Sequence, residues 1–182
     1  APPEILRSPP LRFLGARLLH VAAELKLADL LKKGPRTIGD LAAGTGVQPQ
    51  ALYRILRALA SVGVFAETKN GRFKLTPLAS TLQTGVPTSM HAWALMINEN
   101  WGWDAWKELL HGVKTGEVPF FKAHGVPLFE YFEKHLEDLQ VFGESMTSIS
   151  RTENPTVPAA YKFSGIRTLV DIGGGHGSLL AT

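Results

Sequence analysis

Residues 168–177 read TLVDIGGGHG, a largely apolar run followed by glycines. Residues 168–172 have the composition of a buried β-strand, and glycine occupies four of the next five positions. A strand that runs into glycines allows a ligand to lie against the backbone, because no side chains intervene. The sequence therefore predicts a buried strand, a ligand-binding loop and then a helix near residue 178.

The spacing of the glycines indicates which kind of ligand is bound. The dinucleotide pattern G-x-G-x-x-G is absent, because Ser178 and Leu180 stand where a third glycine is required. Instead, an acid at position 171 precedes glycines at alternate positions up to 177. This pattern resembles the first signature of class I S-adenosylmethionine-dependent methyltransferases, in the form found in small-molecule O-methyltransferases.

The first half of the chain has the element order of a winged helix. Apolar residues recur every three or four positions over residues 11–31, which predicts one long helix. A second helix starts at the capping-box pattern Thr37 to Asp40, and a third covers residues 49–62 behind Pro49. Two strands then flank Asn70 and Gly71, which predict a tight hairpin with positive φ at both residues.

The middle of the chain is rich in aromatic residues. Its periodicity predicts helices near residues 89–98, 103–113, 127–135 and 136–150, and prolines at 155 and 158 interrupt the helical pattern. Phe142, Met146 and Ser150 lie four positions apart and so share one face of the last helix. Core packing is the simplest explanation of such a face.

Over essentially the whole chain, this order resembles small-molecule O-methyltransferases with an N-terminal dimerisation domain. The resemblance implies a mainly α fold. Residues 1–160 would form a winged-helix-like dimerisation and substrate-lining domain, and residues 161–182 would start a Rossmann-like α/β domain with its first strand. It further implies a homodimer, S-adenosylmethionine as cofactor, and methyl transfer to a hydroxyl group of a small aromatic acceptor.

The resemblance also assigns site residues. The acceptor would contact Phe142, Met146 and Trp103. His176 occupies a variable position of the signature and is interpreted as solvent-facing. The base and an acid that holds the ribose would lie beyond residue 182, so we expect no catalytic residue in this chain and no activity from it alone. The residues predicted to bind the cofactor are Asp171, Gly173, Gly174, Gly175, Gly177 and Ser150.

Composition excludes several other functions. Cysteine is absent, which removes disulfides, zinc–thiolate sites and thiol nucleophiles, and the histidines share no metal-ligand spacing. We therefore predict no metal site. No apolar run approaches the roughly 20 residues of a membrane span, so we expect a cytoplasmic protein without membrane contact.

Charge suggests a rival function. The net charge is +3, and basic residues outnumber acidic ones over residues 1–80 while the reverse holds afterwards. A ligand-responsive winged-helix transcription regulator would use such a basic half. The third helix, however, offers only Arg54 and Arg57 to a nucleic acid, so we expect no specific nucleic-acid partner. A non-catalytic dimerisation module is a third possibility.

Overall fold

The computed structural model describes residues 9–182, with side chains from residue 15 onward except at 152. Over these residues the chain forms twelve helices and three short strands, and the prediction of a mainly α fold is confirmed. The helices are α1 Pro9–Glu24, α2 Leu27–Leu30, α3 Ile38–Thr45, α4 Pro49–Ser61, α5 Pro77–Ser80, α6 His91–Met96, α7 Asn100–Lys107, α8 Leu109–Thr115, α9 Pro119–His124, α10 Leu128–Lys134, α11 Leu136–Glu153 and α12 Thr156–Ala160, and the strands are β1 Arg36–Thr37, β2 Phe65–Glu67 and β3 Arg72–Leu75.

Two compact units divide between Asn98 and Glu99. The core of the first unit consists of apolar side chains from α1 to α6 and from β2 and β3. Leu52, Leu56 and Leu59 on α4 are almost completely buried in it. The predicted apolar face of the third helix is thus covered within its own unit. The predicted domain boundary near residue 160 stays a prediction.

The predicted helix over residues 11–31 is in fact two helices. Lys26 adopts φ 48 and ψ 40, a left-handed conformation that a continuous right-handed helix cannot contain. Its backbone N–H donates to the carbonyl of Ala23, 2.8 Å away, and α2 begins at the next residue. In the same way, the predicted helix over residues 103–113 is divided at Glu108 into α7 and α8.

The three strands form one antiparallel sheet in the order β1-β3-β2. The hairpin between β2 and β3 is confirmed, but its turn differs from the prediction, because only Gly71 has a positive φ, of 67°. The Thr68 N–H donates to the Arg72 carbonyl at 2.7 Å, and the Gly71 N–H donates to the Thr68 carbonyl at 2.9 Å. This loop is longer than a two-residue turn and needs a left-handed residue only at its end.

Residues 168–172 form neither a strand nor a buried segment, and this part of the prediction is wrong. Val170 is 72% exposed and Ile172 is 94% exposed. A strand needs a neighbour for its backbone hydrogen bonds, and no described residue pairs with this segment. The predicted helix near residue 178 is likewise replaced by turns.

The capping box predicted at the start of the second helix is present. The Asp40 N–H donates to Thr37 Oγ1 at 3.2 Å, and Thr37 Oγ1 and N–H both donate to Asp40 Oδ2. The hydrogen bonds from the Thr37 hydroxyl and N–H hold the pKa of Asp40 below its usual value. Both groups therefore satisfy backbone donors that the first turn of α3 would otherwise leave free.

We predict that Thr37→Ala lowers the free energy of unfolding by about 1 kcal/mol at pH 7, the typical effect of losing a cap. Thr37→Ser, which keeps the hydroxyl, serves as the control and should match the native chain. Because the folded-state pKa of Asp40 is lowered, its contribution is present above about pH 4 and is lost as the pH falls through the folded pKa. Urea titrations at pH 7 and pH 3 measure both effects. Equal stability of the Ala and Ser variants at pH 7 would contradict the assignment.

Candidate functional site

A cavity of about 550 Å³ lies between α11 and the glycine-rich segment. The segment 171–178 is called the glycine loop below. The cavity is lined by apolar and polar side chains from α10, from α11 and the residue after it, and from the glycine loop and the residue after it, and by four glycines. These residues are Phe129, Leu139, Phe142, Gly143, Met146, Thr147, Ser150, Asn154, Asp171, Gly173, Gly174, Gly175, His176, Ser178 and Leu179.

The helix α11 supplies one wall. Its first turn carries Glu137 and Asp138, whose charges favour a helix N-terminus. Phe142, Met146 and Ser150, which were predicted to share a face, all line the cavity and are half-buried. The structure thus brings together the predicted acceptor residues on α11 and one predicted cofactor residue.

The backbone of the glycine loop forms the opposite wall. Gly173, Gly175 and Gly177 have φ values of 77°, 54° and 70°, a conformation that residues with side chains rarely adopt. No atom lies within 4 Å of the places where their Cβ atoms would be. The cavity side of Gly173 and Gly175 is therefore open to a ligand.

Gly174 is required for a different reason. Its φ is not positive, but an added Cβ would overlap the carboxylate of Asp171. The Asp171 side chain therefore lies directly against the loop backbone. Its Oδ2 atom is buried and has no hydrogen-bond partner in the structure. A buried carboxylate oxygen without a partner is costly, which indicates that a donor from a ligand belongs there.

Two predicted site residues do not line the cavity. Gly177 is absent from its wall, and its N–H donates to the Gly174 carbonyl at 2.8 Å, which closes the turn of the loop. Trp103 lies on α7, half-buried, and is not among the described residues around the cavity. Their ligand contacts stay predictions.

Three polar residues around the cavity were not predicted from the sequence, namely Thr147, Asn154 and Ser178. Thr147 Oγ1 is 2.9 Å from His176 Nδ1, and Asn154 Nδ2 donates to Ser178 Oγ at 3.1 Å. The interpretation of His176 as merely solvent-facing was thus incomplete, because its ring is exposed yet bonded to α11. Positions 143, 147, 150 and 154 follow the helical period. This spacing could have revealed that α11 has a second face next to the cavity.

Few ionisable side chains lie next to the site. Burial and the hydrogen bond to Asp138 raise the pKa of Tyr131 to about 12. Its hydroxyl therefore stays protonated at neutral pH and donates to Asp138 Oδ2 at 3.0 Å. In the described part of the chain, no group of acidic and histidine side chains could hold a metal ion. Among the residues around the cavity, Asp171 and His176 carry the ionisable side chains.

Comparison with known proteins identifies the class. A model of the O-methyltransferase dimerisation domain matches residues 11–85, and a model of the O-methyltransferase domain matches residues 106–182. The chain belongs to the O-methyltransferase family in which these two domains occur together. No helix in residues 9–182 combines the length and apolarity needed to cross a membrane.

Individual relatives support this membership. The phenazine O-methyltransferase PhzM of Lysobacter antibioticus is 44% identical over 163 residues, which are 90% of this chain and 48% of that protein. The LaPhzM crystal structure superposes with a TM-score of 0.91 at 42% identity, covering 98% of this chain and 53% of that one. CalO1, a methyltransferase in calicheamicin biosynthesis, matches in its SAH-bound form with a TM-score of 0.83 at 32% identity, covering 97% and 53%. The chain thus spans about half the length of the relatives it matches.

We predict that Gly174→Ala displaces the glycine loop, because its methyl group would overlap the Asp171 carboxylate. Backbone amide resonances of residues 171–178 should shift in the NMR spectrum, while those of the first unit stay in place. The control is Gly102→Ala, since Gly102 lies within α7 with open space at its Cβ position. Unchanged loop resonances in Gly174→Ala would show that Asp171 does not pack there.

Proposed function

We propose that this chain provides the dimerisation domain and one side of the ligand site of an S-adenosylmethionine-dependent O-methyltransferase. The reaction would transfer a methyl group to a hydroxyl of a small aromatic acceptor. The observation that carries the proposal is the single cavity that joins the glycine loop to the aromatic face of α11.

The polar half of the cavity suits the cofactor. Gly173 and Gly175 leave space against the backbone, and Asp171 offers a buried carboxylate oxygen without a partner. The methionine end of S-adenosylmethionine carries an ammonium group that can donate to such an oxygen. Ser150 and Asn154 add polar groups on the α11 side. We therefore assign cofactor contacts to Asp171, to the loop glycines and to Ser150.

The apolar half of the cavity suits a flat aromatic acceptor. Met146 lies on α11 one turn before Ser150 and Phe142 two turns before it, and the rise of a helix places Phe142 about 12 Å from Ser150 along its axis. Phe129 packs edge-on to Phe142, with ring centroids 6.4 Å apart. Aromatic and thioether side chains favour contact with an aromatic ring. Because apolar and polar residues occupy different turns of α11, the helix would thus orient the acceptor toward the methyl donor.

The chemistry requires alignment more than covalent assistance. S-adenosylmethionine supplies an electrophilic methyl group on a positively charged sulfur. The residues around the cavity hold the two partners side by side, and such orientation lowers the barrier by removing the entropy of their encounter. We assign no described residue the role of the base.

The matched dimerisation domain over residues 11–85 supports dimerisation. The leucines of α4 are buried in their own unit and are therefore not available to a second copy. Apolar residues at the surface of the first unit include Val62 and Leu78, which are 63% and 55% exposed. We propose that the first unit associates with a second copy.

The regulator hypothesis receives little support from α4. Arg57 lies 5.8 Å from the ring centroid of Tyr53, so part of the small basic content of this helix is engaged with its own aromatic neighbour. Arg54 is the one other cationic residue of this helix. Specific recognition requires several side chains that reach base edges. We therefore propose no specific nucleic-acid partner.

We predict saturable but weak S-adenosylmethionine binding to this chain, with a dissociation constant above about 0.1 mM, because only one side of the site is formed by these residues. Gly175→Ala should weaken binding at least about tenfold, since its methyl group would enter the cavity and its φ of 54° disfavours alanine. Calorimetric titration measures this, with adenosine as the ligand control and Gly102→Ala as the protein control. Absence of saturable binding would contradict the proposal.

We predict a homodimer in solution. Size exclusion with light scattering at micromolar concentration should give twice the chain mass of 19.8 kDa. A monomer under these conditions would contradict the dimer proposal while leaving the cofactor proposal standing. Methyl transfer itself is tested with methyl-labelled S-adenosylmethionine and small phenols on the protein purified from its native source.

A further inference from the structure

Two side-chain hydrogen bonds join the glycine loop to α11. One connects Thr147 with His176, and the other connects Asn154 with Ser178. Thr147 and Asn154 are seven residues apart, which is two helical turns or about 10 Å along the axis. The loop is therefore held against the helix at two separate points rather than at one.

The hydrogen-bond donors of the first connection can be assigned. The Thr147 hydroxyl donates its single proton to the Gly143 carbonyl, 2.9 Å away. With its proton on the carbonyl, Thr147 Oγ1 accepts from His176 and Nδ1 carries a proton, whereas a hydroxyl that donates to Nδ1 would correspond to the Nε2–H ring. In the first arrangement, Nε2 of the neutral ring is left without a proton. This arrangement thus selects the less common neutral form of histidine.

The His176 ring lies beside α11 at Gly143. Residue 143 is one turn before Thr147, on the side where the His176 ring lies. A Cβ at Gly143 would sit 3.4 Å from Cε1 and 3.6 Å from Nε2 of that ring, which is ordinary contact distance. The imidazole therefore packs closely over the helix backbone. This packing adds apolar contact to the hydrogen bond.

The two connections lie beside the ligand residues. Positions 143, 147 and 154 follow the helical period on the face next to Met146 and Ser150, so both connections flank the cavity wall. Any movement of the loop away from α11 would break one or both of them. They consequently fix the width of the cavity between the loop backbone and the helix.

We propose that His176 and Asn154 are positioning residues, which clamp the glycine loop onto α11 and so set the distance between bound methyl donor and acceptor. This proposal rests on the proposed function for its consequence, but the clamp itself does not depend on any ligand. The partner residues are Thr147 on the helix and Ser178 on the loop.

The clamp is tested first without a ligand. In the native chain, nitrogen NMR should show His176 with a protonated Nδ1 and an unprotonated Nε2. Thr147→Val, which keeps the shape but removes the hydroxyl, should shift the ring toward the Nε2–H form. It should also speed amide exchange of residues 173–178 about fivefold, the effect of losing one modest hydrogen bond. Thr147→Ser should restore both values.

Three further variants sharpen this test. His176→Asn places an amide donor near the position of Nδ1 and should retain the slow loop exchange, whereas His176→Phe should not. Ser178→Ala should speed loop exchange independently of Thr147→Val, because the two hydrogen bonds lie two turns apart. An Nε2–H ring in the native chain, or loop exchange unaffected by Thr147→Val, would overturn the proposal.

The consequence for the ligand is tested separately. Thr147→Val should weaken S-adenosylmethionine binding about fivefold in the calorimetric titration, and Thr147→Ser should leave it unchanged. If the native chain shows no saturable binding, the proposed function fails, and the ring tautomer and loop exchange still decide the clamp. If the native chain binds and Thr147→Val binds equally well, the positioning role is wrong.

Discussion

The close contact between the Asp171 carboxylate and the backbone of Gly174 is the constraint on which the site depends. A Cβ at Gly174 would overlap the Asp171 carboxylate, so a side chain at this position would require that carboxylate to move. Positive φ values at Gly173 and Gly175 on either side then direct the loop backbone toward α11. The cavity, its open glycine wall and its buried carboxylate oxygen all follow from this turn.

The same turn explains why α11 matters. A loop built from glycines has little packing of its own, because it has no side chains to bury. His176 and Ser178 are the polar side chains within it that reach the helix. A helix that presents Phe142 and Met146 on one face and Thr147 on the next can therefore shape both halves of the cavity. The ligand site is formed by the glycine loop and α11 together, and not by either segment alone.

Some of this could be predicted from local sequence, and some could not. The capping box at Thr37, the start of α4 at Pro49 and the shared face of Phe142, Met146 and Ser150 depend on neighbours a few residues away, and all are present. The break at Lys26 was missed because the apolar period continues across it. The pairing of Thr147 with His176 was missed because the two residues are 29 positions apart.

The missing strand at residues 168–172 shows the limit of composition as a guide. Apolar residues such as Val170 and Ile172 favour a buried strand, yet a strand exists only when another segment supplies its hydrogen bonds. In the residues described here, that partner is absent. The family match over residues 106–182 continues through this segment, and the chain covers 48% of its Lysobacter antibioticus relative. The segment therefore has the composition of a β-strand, although the described residues form no strand that pairs with it.

The central claim is that the glycine loop and α11 form one cofactor site. A crystal structure of this chain with S-adenosylhomocysteine tests it most directly. We expect density for the amino-acid end of the ligand between Gly173 and Ser150, with its ammonium group next to Asp171 Oδ2. Ligand density elsewhere on the chain, with an ordered but empty cavity, would contradict it.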